Sequence, residues 1–202
     1  RDLLARVLYV ARNSLIVAFF IVVAAVGMGL VFGLMAGYYP RLDTVIMRIM
    51  DGLMAFPGIV LAIAMMGAMG PSMLNVIVAL GIVYTPRVAR VVRSFILTVR
   101  ESQYIEAARS MGALDTRILF YHILPNCFSP IVVQASFIFS YAILGEAALS
   151  FLGVGVPATL PSWGNILSEG RVYMQIAPWL TVFPGLSIMI TVLGLNMLGD
   201  GL

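Results

Sequence analysis

The sequence predicts an all-α protein that crosses a membrane several times, and two observations lead to this prediction. Hydrophobic residues make up 61% of the 202 residues and charged residues only 10%, whereas soluble domains carry about 25% charged residues. Four long stretches also contain no Asp, Glu, Lys or Arg. A membrane core about 30 Å thick is crossed by about 20 residues of helix, so each stretch is long enough to span it.

The four uncharged stretches give five predicted helices. They are bounded by Arg12 and Arg41, Asp51 and Arg87, Arg117 and Glu146, and Arg171 and Asp200. The second stretch is too long for one crossing and has Gly70-Pro71, a strong turn signal, near its middle. We therefore predict a helical hairpin at that point and five spans, near residues 14–38, 45–69, 72–98, 127–149 and 177–199.

Small residues and prolines add detail to these spans. Pro57 and Pro184 lie inside apolar stretches and predict kinks in their helices. Glycines and alanines are frequent in 24–37, which favours close packing against another helix.

The arginines predict which side of the membrane each loop occupies, because loops rich in positive charge stay in the cytoplasm. Six of them crowd the segment between the third and fourth helices: Arg87, Arg90, Arg93, Arg100, Arg109 and Arg117. The loop 101–125 is therefore predicted to be cytoplasmic and the loop 150–176 extracytoplasmic. The net charge of +3 reflects this arrangement and does not indicate a nucleic-acid partner.

The N-terminal arginines are an exception to this orientation. Arg1, Arg6 and Arg12 would lie outside, which we attribute to a further helix that precedes Arg1. Arg87, Arg90 and Arg93 recur every three residues where the third span leaves the membrane. Such a stripe suits phosphate headgroups or an acidic partner, and simple stop-transfer charges explain the same pattern.

The cytoplasmic loop 101–125 has the pattern of two short helices. Ser102 is predicted to cap the first one, and Gly112 to end it by adopting a left-handed conformation. Asp115 is predicted to cap a second helix over 116–123, which would end before Pro125.

Charged and small residues of the first short helix offer a surface for a partner. Glu106 and Arg109 lie three residues apart on one face, where they suit a bond to each other or to another protein. Ala107 and Ala108 allow another backbone to approach closely. On spacing alone, an ordinary amphipathic loop is the alternative interpretation.

The residues of this loop resemble the EAA loop of permease subunits in bacterial ATP-binding-cassette importers. The matching positions are Glu106, Ala107, Ala108, Arg109, Gly112, Leu124 and Pro125. His122 stands where the general pattern has isoleucine, and His-Ile-Leu-Pro-Asn at 122–126 is similar to the dipeptide and oligopeptide branch. The stretches 149–157, 161–165 and 198–202 agree with that branch as well, so the resemblance covers nearly the whole chain.

This resemblance implies a single domain over 1–202 with the type I importer transmembrane fold, as the C-type permease of the peptide/nickel branch. It also implies a further N-terminal span before Arg1 and a short tail after Leu202. The chain would form half of a passage for ATP-driven import of di- or oligopeptides in the bacterial cytoplasmic membrane. Nickel and glutathione importers share the same permease motifs and are the alternatives.

The resemblance also implies the partners. Two ATP-binding subunits would hold the ATP and Mg²⁺, so this chain would have no cofactor and no enzymatic activity of its own. The loop 101–125 would dock on them through Glu106, Ala107, Ala108 and Gly112. A sister permease, membrane lipid and an extracytoplasmic solute-binding protein, facing the loop 150–176, complete the set.

Two residues on the outer side are candidates for the passage or its gate. Glu146 lies near the outer end of a helix, and a carboxylate there is costly unless it is paired or faces water. It suits a bond to a peptide amine, although a helix-packing or gating contact is the favoured interpretation. Trp163 lies in a proline-rich loop suited to a fixed lid, and an anchor in the aromatic belt, together with Tyr173, is the alternative.

Two other classes of protein are weighed against a transporter subunit. A zinc peptidase needs two histidines on one helix, whereas this chain has only His122, and the aspartates that an aspartyl dyad needs lie at span ends. A serine hydrolase would use His122 in the cytoplasmic loop rather than at membrane depth. A passive channel would conduct without any ATPase partner.

Overall fold

A computed structural model of the chain describes residues 3–157 and 159–201, and all regular structure in these ranges is helical. The helices are α1 (Leu3–Tyr38), α2 (Pro40–Met54), α3 (Gly58–Met69), α4 (Met73–Val99), α5 (Gln103–Ser110), α6 (Asp115–Arg117), α7 (Phe128–Phe151), α8 (Trp163–Arg171) and α9 (Trp179–Asp200). A π-helical turn (Ile118–Ile123) and a 3₁₀ turn (Leu124–Cys127) join α6 to α7. The predictions made for Arg1 and Leu202 lie outside the described residues.

Helix α1 is much longer than the predicted span 14–38. Its 36 residues measure about 54 Å at the helical rise, well beyond the membrane core of about 30 Å. The additional turns are held by the outer loop. Arg6 forms an ion pair with Glu169 of α8 at 2.7 Å, and the Asn13 amide donates to the carbonyl of Pro161 at 3.0 Å. The N-terminal end and the loop 150–176 therefore share one side, as predicted.

Helix α1 packs closely against α4 through glycines spaced one turn apart. A Cβ atom at Gly33 would lie 2.6 Å from the Cβ of Val92, and one at Gly37 would lie 2.8 Å from the Cβ of Ile96. No side chain fits at such distances, so the α1 backbone lies directly against the side chains of Val92 and Ile96. This arrangement confirms the close packing predicted from the small residues of 24–37.

The predicted span 45–69 is wrong as a single kinked helix. Helix α2 ends at Met54 and α3 starts at Gly58, and the two axes differ by 88°. Pro57 has no N–H to continue the helix, and its ring keeps Phe56 out of the α region. Four helical runs in the described ranges are long and apolar enough to cross a membrane, and the bent pair makes a fifth only if it counts as one span.

Other proline and glycine signals are placed as the sequence suggests. Gly70 has a φ of +81° at the turn between α3 and α4, and the side-chain amide of Asn75 donates to its carbonyl at 3.0 Å. The helical hairpin predicted there is confirmed. Pro184 lies inside α9, and the kink predicted at this residue stays a prediction.

Two arginines of the predicted stripe pair with aspartates of α2. Arg90 contacts Asp51 at 2.6 Å, and Arg93 binds both carboxylate oxygens of Asp43. The acidic partner of these two arginines is therefore part of the same chain. Arg87 forms no ion pair with the described residues.

Replacing Gly33 by Leu is expected to destabilise the protein, because the new side chain would push α1 away from Val92. Overpacking of this kind lowers the free energy of unfolding by about 1–3 kcal/mol, to be measured by denaturation in detergent. Gly27→Leu is the matched control, since Gly27 lies on the same helix with open space around its Cβ position. Equal stability of the two variants would contradict the packing described here.

Candidate functional site

The corner, defined as residues 103–115, lies in the loop predicted to be cytoplasmic. It begins with helix α5 and turns at Gly112. The φ of Gly112 is +81°, and its N–H donates to the carbonyl of Arg109 at 2.9 Å. The next N–H, of Ala113, donates to the carbonyl of Ala108 at 3.1 Å. These two bonds close the helix end as a left-handed glycine stop does, which confirms the prediction for Gly112.

The capping roles predicted for Ser102 and Asp115 are wrong. Ser102 occupies the N-cap position of α5, but its hydroxyl donates to the carbonyl of Val99 at 2.5 Å and caps no helical N–H. Asp115 is the first residue of α6 rather than its cap. Its carboxylate instead accepts a hydrogen bond from the hydroxyl of Tyr38 at the end of α1, a strong type of bond because the acceptor is charged.

The second short helix does not end before Pro125, contrary to the prediction. The chain passes from α6 through the π turn and the 3₁₀ turn into α7 without leaving the helical path. Pro125 lies in the first turn of the 3₁₀ segment, where a missing N–H costs little. A proline removes one backbone hydrogen bond from a regular α-helix, and here the wider π turn comes directly before that point. The corner is thus connected directly to a membrane span.

The corner has one face toward the protein and one toward solvent. Ile105 and Ala108 are buried, whereas Glu106, Ala107 and Arg109 are exposed. Ala108 therefore positions the corner and does not face a partner. Beyond α5, Leu124 is half-buried and Pro125 exposed.

The exposed face of the corner also contains apolar side chains that sequence reasoning missed. Met111 is 83% exposed and Leu114 is 74% exposed, on either side of Gly112. Their exposure could have been predicted from their position beside Gly112, because a left-handed glycine turns neighbouring side chains outward. Together with Glu106, which makes no ion pair with the described residues, they give the corner a mixed apolar and acidic surface.

Tyr38 attaches this corner to α1. Its side chain is buried, its hydroxyl donates to Asp115, and the Arg109 guanidinium lies over its ring at 5.7 Å. Arg109 thus contacts an aromatic ring of the same chain rather than Glu106. Arg100 adds a hydrogen bond to the carbonyl of Gly37 at 3.2 Å. A displacement of the corner is therefore passed on to the end of α1.

Replacing Tyr38 by Phe is expected to loosen the corner, because it removes the donor to Asp115. The loss of a hydrogen bond to a charged group costs about 1.5–3 kcal/mol, so hydrogen exchange in 103–117 should become about tenfold faster or more. Tyr39→Phe is the control, since the Tyr39 hydroxyl has no such bond to the described residues. Unchanged exchange in the Tyr38 variant would contradict the attachment.

The outer loop 150–176 is fixed to α1 by Trp163. This side chain is 3% exposed, its indole N–H donates to the carbonyl of Val7 at 3.1 Å, and its backbone N–H donates to the Ser14 hydroxyl at 3.0 Å. The interpretation of Trp163 as an aromatic-belt anchor is wrong, because the indole is buried within the protein. Tyr173 is 54% exposed and is available for that contact.

Glu146 is fully buried beneath the same loop. One carboxylate oxygen accepts a hydrogen bond from the Ser150 hydroxyl at 2.7 Å, and the hydroxyls of Ser14 and Ser162 face the group. The Oε2 atom has no hydrogen bond of ordinary geometry with the described residues. In this arrangement Glu146 joins α7, α1 and the start of α8, which favours a packing contact over a position on the wall of a passage.

Replacing Trp163 by Phe is expected to free the start of α8, since the bond to Val7 is lost while most of the ring volume stays. One neutral hydrogen bond is worth about 1 kcal/mol, which corresponds to about fivefold faster hydrogen exchange in 162–171. Trp179→Phe serves as the control because Trp179 is 53% exposed. The same exchange rate in both variants would rule out the anchoring role.

Helices long and apolar enough to cross a membrane, joined by the partly exposed corner, define the class of this protein as a multi-pass membrane protein. The chain belongs to the family of binding-protein-dependent transport system inner membrane components, which matches residues 29–202. It is therefore a multi-pass protein of the inner membrane.

Several named proteins are similar to this chain over its whole length. A putative peptide transport system permease of Brucella suis is 50% identical over 100% of this chain and 68% of the relative. The dipeptide permease DppC of Alkalihalophilus pseudofirmus is 50% identical, with 100% and 67% covered. The glutathione permease GsiD of Pectobacterium atrosepticum is 49% identical with the same coverage.

The fold is that of solved importer permeases. A chain of the inward-facing MetNI methionine ABC transporter superposes with a TM-score of 0.79, covering 98% of this chain and 93% of that chain at 22% identity. The predicted type I importer transmembrane fold is thereby confirmed. A further segment before Arg1 stays a prediction.

Proposed function

We propose that this chain forms half of a passage for di- or oligopeptides in an ATP-driven importer, and that ATP is hydrolysed on a separate subunit. The observation that carries this proposal is the corner at 103–115, which is exposed on one side and attached to α1 and α7 on the other. The names of the peptide permeases that are 50% identical to this chain support peptide as the solute.

The corner suits docking on an ATP-binding subunit. Glu106, Met111 and Leu114 are free to enter a cleft of a partner, while buried Ile105 and Ala108 hold the helix against the protein. ATP and Mg²⁺ would bind to two such subunits and not to this chain. When ATP draws the two subunits together, the corner would move with them and shift the spans between inward-open and outward-open states.

The outer side of the chain suits contact with a solute-binding protein. The loop 150–176 is held to α1 and α7 through Trp163 and Glu146, so it would move together with these spans. Both residues would thus act as part of a gate by positioning the loop. A sister permease would supply the other half of the passage.

Glutathione and nickel are the alternative solutes, and a passive channel is the alternative mechanism. A glutathione permease is as similar to this chain as the peptide permeases are, and glutathione is itself a tripeptide. Peptide is therefore the broader class that accommodates both relatives. A passive channel would have no use for a capped, partner-facing corner, and it would transport without ATP.

Replacing Gly112 by Val is expected to uncouple ATP hydrolysis from uptake. A β-branched residue at a φ of +81° is strained, so the corner would lose its shape although no neighbouring atom obstructs the new side chain. ATP-dependent peptide uptake by the complete importer in liposomes should fall at least tenfold, while the amount of chain in the membrane stays the same.

Gly112→Asn is the matched variant, because asparagine tolerates the left-handed conformation. It should keep most of the uptake. Normal uptake by the Val variant, or equal losses in both variants, would contradict the docking role of the corner. ATP-independent uptake by the unmodified complex would contradict the proposal that this chain belongs to an ATP-driven importer.

A further inference from the structure

Arg87 lies inside a predicted membrane span. This cation has no acidic partner among the described residues. It lies on α4, one turn before Arg90, and is exposed. Arg90 and Arg93 pair with aspartates of α2, but Arg87 forms no such pair in residues 3–157 and 159–201. Its charge is therefore left for a group that the chain itself does not provide.

The contacts of Arg87 place it beside the middle of α7, which belongs to a helical run long and apolar enough to cross a membrane. Its guanidinium carbon lies 4.5 Å from the ring centre of Tyr141 and 5.9 Å from that of Tyr84. Tyr141 is near the middle of α7, about 20 Å from its first residue and about 15 Å from its last. The Tyr84 hydroxyl donates to the carbonyl of Tyr141 at 2.9 Å, which fixes the two rings. A charge at this depth must face water or a partner, since lipid is too costly.

Arg87 lies on the side of α4 that faces away from α1. Helix α1 covers the side of α4 that carries Val88 and Val92, and its outer surface exposes Phe19 and Val23. Successive residues of a helix are turned by about 100°, so Arg87 projects away from α1. On that side it meets Tyr141 of α7 and the break between α2 and α3, which is the surface that we assign to the passage.

A small cavity lies beside Arg87 at the break between α2 and α3. Its volume is about 240 Å³, whereas pockets for whole small molecules have about 300–1,000 Å³. Pro57, Gly58 and Tyr84 are among the residues that line it. The space therefore suits one end of a solute rather than all of it.

We propose that Arg87, supported by Tyr84 and Tyr141, binds the carboxylate of a peptide during its passage. A guanidinium offers two parallel N–H donors that match the two oxygens of a carboxylate, and its flat side is already held on the Tyr141 ring. The C-terminal carboxylate is common to peptides of any sequence, so the site would select the class and not the individual solute. This inference rests on the proposed function.

The test uses the complete importer in liposomes, with its sister permease, ATP-binding subunits and binding protein. A mixture of di- and tripeptides is supplied both as free acids and as C-terminal amides, and uptake of each is measured by mass spectrometry. The affinity of the binding protein for the free acid and for the amide of each peptide is measured separately. A preference of that protein, which is the same in every variant, is then not attributed to the permease. Only peptides that it binds in both forms are compared.

The Arg87→Gln variant is expected to take up free acids about tenfold more slowly and amides at the unchanged rate. Arg87→Lys keeps the charge but loses the paired donors. It should take up free acids at a rate between those of the Arg87→Gln variant and the unmodified importer. Arg90→Gln is the matched control, one turn away on the same helix, and should leave the ratio of acid to amide uptake unchanged.

Two results would overturn the inference. If Arg87→Gln keeps the preference of the unmodified importer for free acids, no carboxylate is bound there. If it slows acids and amides equally, or reduces assembly of the complex, the partner of Arg87 is an acidic residue of the sister permease. Absence of ATP-dependent peptide uptake by the unmodified importer would instead refute the proposed function, so the two failures are distinguishable.

Discussion

The close contact of the α1 glycines with α4 is the constraint on which the other features of this protein depend. Gly33 and Gly37 leave no room for side chains against Val92 and Ile96, so α1 lies at a fixed height along α4. That height brings Tyr38 to Asp115 at one end of α1 and Val7 to Trp163 at the other. In a membrane, where apolar residues gain little from meeting each other, such close packing is a main source of specificity.

The two polar regions of the chain are built in different ways. The corner at 103–115 is held by Tyr38 and by the buried side chains of Ile105 and Ala108. It presents mixed side chains to solvent, which suits a surface that meets a partner. The outer loop is held by buried hydrogen bonds around Glu146 and Trp163. An incompletely paired carboxylate in such a place is costly, and it is retained where three elements have to stay together.

Local signals in the sequence predicted the features that depend on neighbouring residues. The left-handed turn at Gly112, the hairpin at Gly70 and the close packing of α1 all follow from short patterns and are confirmed. The errors concern contacts between distant residues. The local sequence makes Asp115 a candidate helix cap. Its carboxylate instead accepts a hydrogen bond from Tyr38, which is 77 residues away in the chain. Likewise, nothing near Arg93 indicates that Asp43 would be its partner.

The proline signals show a further limit of sequence reasoning. Pro57 predicts a disturbance of the helix, but whether the result is a mild bend or a turn of 88° depends on what surrounds it. Here α2 is amphipathic, and its aspartates pair with arginines of α4. The axis of α2 therefore turns away from that of α3. Trp163 is similar: tryptophan suits both a membrane interface and a protein interior, and only the fold distinguishes them.

The length of α1 has a mechanical consequence. A straight helix that tilts about its contact at Gly33 moves its two ends in opposite directions, in proportion to their distances from that pivot. Tyr38 is about 8 Å from Gly33 along the axis and Val7 is about 39 Å from it. A shift of the cytoplasmic end would thus be amplified about fivefold at the outer end, so that narrowing one mouth of a passage would widen the other.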